Sequence, residues 1–213
     1  MSAASVRDVV MSSPALHDRR IARLDVGQVH AMLDAGILRD GEAVELIDGV
    51  LVCKDRSALG EDAMTIGKRH NLVVKLLARL DPELAQRGRH MQTQGPLTLP
   101  PRDEPEPDGI ILRGDPRSYA DHLPEAADAE SVIEVADASL AYDRTTKLAL
   151  YARAGIRQYV IVNLQNSTVE IYEQPSPAEA CYRATSFRHA GETVALRVAD
   201  GEHLEVDAAR LLP

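Results

Sequence analysis

Three ionisable side chains stand where a plain hydrophobic core would have none, and their types suit one kind of chemistry. Glu134 interrupts the apolar run Val132-Ile133-Glu134-Val135-Ala136, and such a run suits a strand covered on both faces. A carboxylate there must be paired, hydrogen-bonded, protonated or bound to a cation, because an isolated buried charge is too costly. Asp108 leads the apolar segment Gly109-Ile110-Ile111-Leu112 out of a proline-rich loop, which reads as a second, short strand. Lys147 lies in the stretch from Asp143 to Ala154, a helix stopped by Gly155. At about 100° per residue, Leu148, Leu150, Tyr151 and Ala154 surround Lys147 and put it on the apolar face. Asp143, one turn earlier, has the i,i+4 spacing of an ion pair. Two carboxylates on neighbouring strands suit Mg²⁺, which takes one or two carboxylates plus waters and substrate phosphate. A nearby ammonium can orient a water or stabilise charge building on a phosphate. The three together are chemically sufficient for metal-assisted phosphodiester hydrolysis.

Each residue alone also has a plainer reading. Glu134 could face water on an edge strand, and Lys147 could extend its ammonium past the helix into solvent. The coincidence of all three in one ordered set favours a site.

The elements that must position them are legible as patterns. Residues 131–163 read as strand, loop, helix and strand. Asp25 suits an N-cap for a helix to about Ala35, with Gly36 as the stop. Val44 to Lys54 predicts a hairpin turning at Asp48-Gly49. Glu45 there alternates to the same face as Ile47. Met64 to Leu80 predicts a long helix with Ile66, His70, Val73, Val74, Leu77 and Leu80 on one stripe. A histidine on such a stripe is more often a core residue than a ligand or base. Lys68, Arg69, Lys75 and Arg79 read as a solvated face rather than a DNA contact surface. Gly88 to Leu99 supplies another strand, Gln158–Asn163 and Thr168–Glu173 a hairpin, and residues 181–213 two or three more strands. Pro175-Ser176-Pro177 is expected to break the chain. Glu104 and Glu106 read as part of a flexible acidic loop near Asp108.

The ordered set resembles the Uma family of putative restriction endonucleases, within the PD-(D/E)xK nuclease superfamily. The residues that carry the resemblance are Val44-Glu45-Leu46-Ile47-Asp48-Gly49, His70, Pro107-Asp108, Ile133-Glu134-Val135, Asp143-Arg144 with Lys147, Tyr151, Gly155 and Gln158-Tyr159. It runs from about residue 20 to about residue 175. The superfamily's usual lysine stands two residues after the glutamate, where this chain has Ala136. The resemblance implies that the lysine has moved to the next helix as Lys147. It further implies a restriction-endonuclease-like α/β fold, a mixed central sheet flanked by helices, with an extra N-terminal hairpin and C-terminal strands. Asp108, Glu134 and the Val135 carbonyl would hold Mg²⁺, or Mn²⁺ in its place. Lys147 would position or activate the water, Glu45 and His70 would be accessory, and DNA would be the substrate.

Length and composition agree with one domain over residues 21–213, preceded by a loose arm over residues 1–20. No 18-residue apolar run or secretory h-region occurs, so no membrane span is expected. Cys53 and Cys181 are too few for a disulfide framework, which points to the cytoplasm. The net charge of -9 argues against broad non-specific affinity for nucleic acid. It leaves open a non-catalytic interaction module, or a phosphohydrolase acting on RNA or nucleotides. Cleavage of both DNA strands would favour a homodimer. No Gly-rich phosphate loop, zinc-ligand spacing or nucleophile elbow is found.

Overall fold

The computed structural model describes residues 21–39, 41–53 and 67–213. The arm expected over residues 1–20, the end of the hairpin at Lys54 and the helix start at residues 64–66 lie outside the described residues.

Helix α1 (Val26–Asp34) opens on a capping box: Asp25 accepts from the Gln28 N–H and the Gln28 side chain accepts from the Asp25 N–H. Strands β1 (Val44–Ile47) and β2 (Val50–Cys53) pair antiparallel across Asp48-Gly49. Both turn residues have positive φ, the requirement of the tight hairpin turn. A side chain at Gly49 would also collide with Arg23 and the Leu24 carbonyl. Helices α2 (Lys68–Ala78) and α3 (Asp81–Ala85) precede β3 (Arg89–Gln92) and β4 (Gly109–Arg113). Strand β5 (Ala129–Ala136) is buried along its whole length. A helical segment follows in three parts, α4 (Leu140–Tyr142), a π-helical turn (Asp143–Lys147) and α5 (Leu148–Arg153). Gly155 ends it at φ +74°, as a helix C-terminus favours. Strands β6 (Gln158–Asn163), β7 (Thr168–Ser176), β8 (Cys181–Arg188), β9 (Thr193–Ala199) and β10 (Glu202–Asp207) complete the chain.

The main sheet has the order β3-β4-β5-β6-β7-β8, and β1–β2 and β9–β10 form two smaller ribbons. Only the β5–β6 pair of the main sheet is parallel, joined through the helical segment; a parallel neighbour needs such a crossover. The two faces of β5 divide the core by parity. Ile133 and Val135 pack with Val73, Val74 and Leu77 of α2 and with Val194, Leu196 and Val206 of the β9–β10 ribbon. Val132 and Ala136 pack with Leu150 and Tyr151 of α5 and with Tyr159 and Ile161 of β6. The two helices expected from periodicity thus cover opposite faces, and the mixed α/β architecture is the expected one. A third cluster, Val26, Val29 and Leu46, fixes α1 to the hairpin.

Pro175 does not break the chain. It pairs with Tyr182 inside β7, beyond the last β6–β7 pair at Glu173. The strand has one neighbour there, an edge position where a missing N–H is tolerated. The acidic loop is likewise tied down: Glu104 bridges Leu46 of β1, and its carboxylate accepts from Thr98 and contacts His30. No described helix is long and apolar enough to cross a membrane.

Candidate active site

Lys147 closes the π turn, in which the extra residue per turn re-aims side chains; such turns frequently mark functional sites. Its side chain is 5% exposed. Nζ donates to Glu45 Oε1 at 2.7 Å and lies 3.3 Å from Glu134 Oε1. The lysine therefore spans from the helical segment to β1 and β5. The i,i+4 pairing with Asp143 is not the one it makes among the described residues. The widened turn points it into the sheet, where the carboxylates of Glu45 and Glu134 face it. Burial alone would push the ammonium's pKa down. The charges of Glu134 and Glu45, and the hydrogen bond to Glu45, outweigh that and hold it above the usual lysine range. Lys147 is a standing cation, a donor rather than a base.

Glu134 sits on the β5 face shared with Val132 and Ala136. Tyr151 O–H donates to its Oε1 at 2.7 Å, the same oxygen that faces Lys147. Burial pushes its carboxyl up to about 8, and the charges of Asp143, Asp108 and Glu45 push the same way against the pull of Lys147. The physical content is crowding: several carboxylates share one low-dielectric space with one ammonium.

Asp108 lies one step beyond the β4–β5 register Gly109↔Ile133, across from Glu134. Its Oδ2 accepts the Val135 N–H at 2.8 Å and meets His70 Nε2 at 3.0 Å. The main chain of β5 thus orients the carboxylate from one side and α2 from the other. His70 is buried, and its Nδ1 has no hydrogen-bond partner among the described residues. It is more than a packing residue on an apolar stripe, since it is the side chain that meets Asp108 opposite the Val135 N–H. Glu45 in turn accepts the Glu106 N–H at 2.7 Å, so the loop before Asp108 is fastened to the hairpin that carries Glu45.

All five residues singled out in the sequence are buried or nearly so and fall in two contact groups, His70 with Asp108 and Lys147 with Glu45 and Glu134, which meet through the main chain at Val135 and Glu106. Val135 enters through its N–H. Tyr151 was legible in the apolar stripe and in the ordered set of the family resemblance; its hydroxyl contact with Glu134 had no local signal beyond the i+4 spacing from Lys147. Glu170 was missed altogether. Buried on β7, it takes Arg144 on both oxygens, at 3.0 and 2.6 Å, and accepts from Asn163 and Tyr172. This second network braces the helix that carries Lys147.

Among the described residues, no three His, Cys, Asp or Glu side chains form a ready-made cation cage. The donors that Asp108 and Glu134 supply are hard oxygens. Asp108 Oδ1 and Glu134 Oε2 enter no hydrogen bond among the described residues. That fits a cation that keeps most of its own waters.

A family model described as "Putative restriction endonuclease", Uma2, matches residues 28–207. The chain belongs to the Uma2 family. The Uma2 match takes in all five site residues and the whole main sheet. No curated protein matches the chain. Among solved structures, it is similar to the crystal structure of a putative nuclease belonging to DUF820 from Anabaena variabilis ATCC 29413. The two share 17% identity at a TM-score of 0.60, over 84% of this chain and 96% of that one. At that identity the likeness speaks for the fold. Uma2 membership supports a nuclease-like function.

Proposed function

We propose that this chain is a Mg²⁺-dependent endonuclease, able to use Mn²⁺, that hydrolyses phosphodiester bonds of DNA in the cytoplasm. The observation that carries the reading is the convergence of Lys147 on Glu134, beside Asp108, inside an otherwise apolar core. Burial of this many charges is costly for stability alone, and perturbed groups of this kind cluster at functional sites.

Asp108, Glu134 and the Val135 carbonyl would hold the cation. When bound, it would polarise the phosphate and lower the pKa of a coordinated water. His70 and the Val135 N–H keep Asp108 Oδ2 fixed, so the other oxygen has a defined direction. Tyr151 and Lys147 do the same for Glu134 through Oε1. Lys147 Nζ, a permanent donor, orients a water or stabilises charge on a non-bridging phosphate oxygen. Glu45 holds that ammonium in place. Double-strand cleavage by one such site per chain would call for a homodimer.

The net charge of -9 favours a second reading, a non-catalytic interaction module that keeps the fold without the reaction. A phosphohydrolase acting on RNA or nucleotides would use the same residues. The test is cleavage of supercoiled plasmid, linear DNA and RNA with Mg²⁺ and Mn²⁺, with Asp108→Ala and Lys147→Ala alongside. The expected result is metal-dependent DNA cutting that both substitutions abolish. Preferential RNA cutting would move the substrate. No cutting together with no Mn²⁺ binding by calorimetry would establish the interaction module.

A further inference from the structure

Most guanidinium groups among the described residues lie against carboxylates. Arg89, Arg113 and Arg197 gather on Glu130, Arg144 on Glu170, Arg157 on Asp200 and Arg210 on Glu83. Helix α2 departs from this pattern along its whole length. From Lys68 to Arg79 it carries no acidic residue. Its four exposed cations, Lys68, Arg69, Lys75 and Arg79, have no acidic partner among the described residues. At about 100° per residue, Lys68, Lys75 and Arg79 fall within an arc of about 40° on the outer side of the helix. Lys68 and Arg69 occupy the first turn, which has no acidic residue to set against them. There they oppose the helix dipole. Nothing among the described residues compensates this. The next residue, His70, is the one bonded to Asp108 in the candidate active site.

We infer that the outer face of α2 is a docking surface for the phosphate backbone of duplex DNA, leading over its first turn to Asp108. The inference rests on the nuclease reading for its direction. The face extends about 16 Å at 1.5 Å rise per residue, and its charges stand one to two turns apart, a row that suits successive phosphates. Aromatic placement favours a duplex over splayed single strands. Tyr151, Tyr159 and Tyr172 are buried in one stack with Tyr182, so few rings remain for bases to stack on.

The test is fluorescence anisotropy of a labelled duplex in EDTA, where no cleavage occurs, across a series of salt concentrations. Lys75→Ala/Arg79→Ala should raise Kd at least about tenfold and lower the slope of log K against log salt by about 1.8, roughly 0.9 for each phosphate left without its cation. Lys68→Ala/Arg69→Ala should act alike, and Arg183→Ala, on exposed β8, should change nothing. Circular dichroism confirms that each variant is folded. Unchanged affinity and slope in both double variants would overturn the inference, as would absence of duplex binding by the wild type or tighter binding of an RNA duplex or a single strand. Plasmid cleavage by the same proteins separates the two readings. Binding through α2 without cutting keeps the surface and removes the nuclease; cutting untouched by the α2 substitutions removes the surface alone.

Discussion

Lys147 Nζ stands 2.7 Å from Glu45 Oε1, across 102 residues of chain. One ammonium thereby joins the N-terminal hairpin to the helical segment and, through Glu134, to the central strand. The contact gives Lys147 a structural part beside the chemical one proposed for it. Lys147→Ala should abolish metal-dependent cleavage. It should also leave two carboxylates buried without their cation, at about 3 kcal/mol of stability. Circular dichroism and urea denaturation at neutral pH should show a folded but weaker protein, while the plasmid assay reads zero. A variant that still cuts would remove Lys147 from the chemistry.

Tyr151 offers a milder probe of the same carboxylate. Its hydroxyl meets Glu134 Oε1 at 2.7 Å, and its ring is fully buried against Tyr159. Tyr151→Phe keeps the ring and removes one hydrogen bond. It should cost about 1 kcal/mol of stability and slow cleavage about tenfold, because Glu134 loses one of two groups that fix its orientation. Cleavage at the wild-type rate would show that Lys147 alone suffices to orient Glu134.

His70 contacts Asp108 rather than standing beside Glu134. As a group that positions the carboxylate proposed to hold the cation, it should matter by about 10–100-fold in metal affinity. Calorimetric titration with Mn²⁺ should show that loss in His70→Ala and complete loss in Asp108→Ala. Equal affinity for His70→Ala and wild type would reduce His70 to packing.

How far the sequence revealed this site depended on where each signal was local. Glu134 was visible because a charge inside the apolar run over residues 132–136 is an anomaly that five residues suffice to display. Lys147 was visible because helical periodicity put it on the buried face. Its partner was not, since i,i+4 spacing offered Asp143 while the true partners arrive from β1 and β5. The π turn that re-aims it has no spacing of its own in the sequence. Glu170 hid inside Thr168–Glu173, where polar residues alternating with apolar ones suggest a solvent-facing side. Only the docking of Arg144 and the tyrosine stack turns that side inward. Pro175 misled for a similar reason: a proline reads as a break unless the strand's local neighbours are known.

Glu170 carries the clearest dependence on pH. Burial alone would raise its carboxyl, but the hydrogen bonds from Arg144, Tyr172 and Asn163 and the charge of Arg144 outweigh that and hold it below the usual range. A folded pKa below the unfolded one means that the native state binds fewer protons in between. The stabilisation from Glu170 is therefore fully present above the unfolded value of about 4.3 and is lost as pH falls through the folded value. Glu170→Gln keeps the volume and removes the titration. Urea denaturation from pH 7 down to pH 3 should show wild type more stable at neutral pH, by about 2 kcal/mol given the partial exposure of Arg144. The gap should hold to the unfolded value and narrow below it. A gap of constant size down to pH 3 would mean that the ion pair with Arg144 contributes nothing beyond shape.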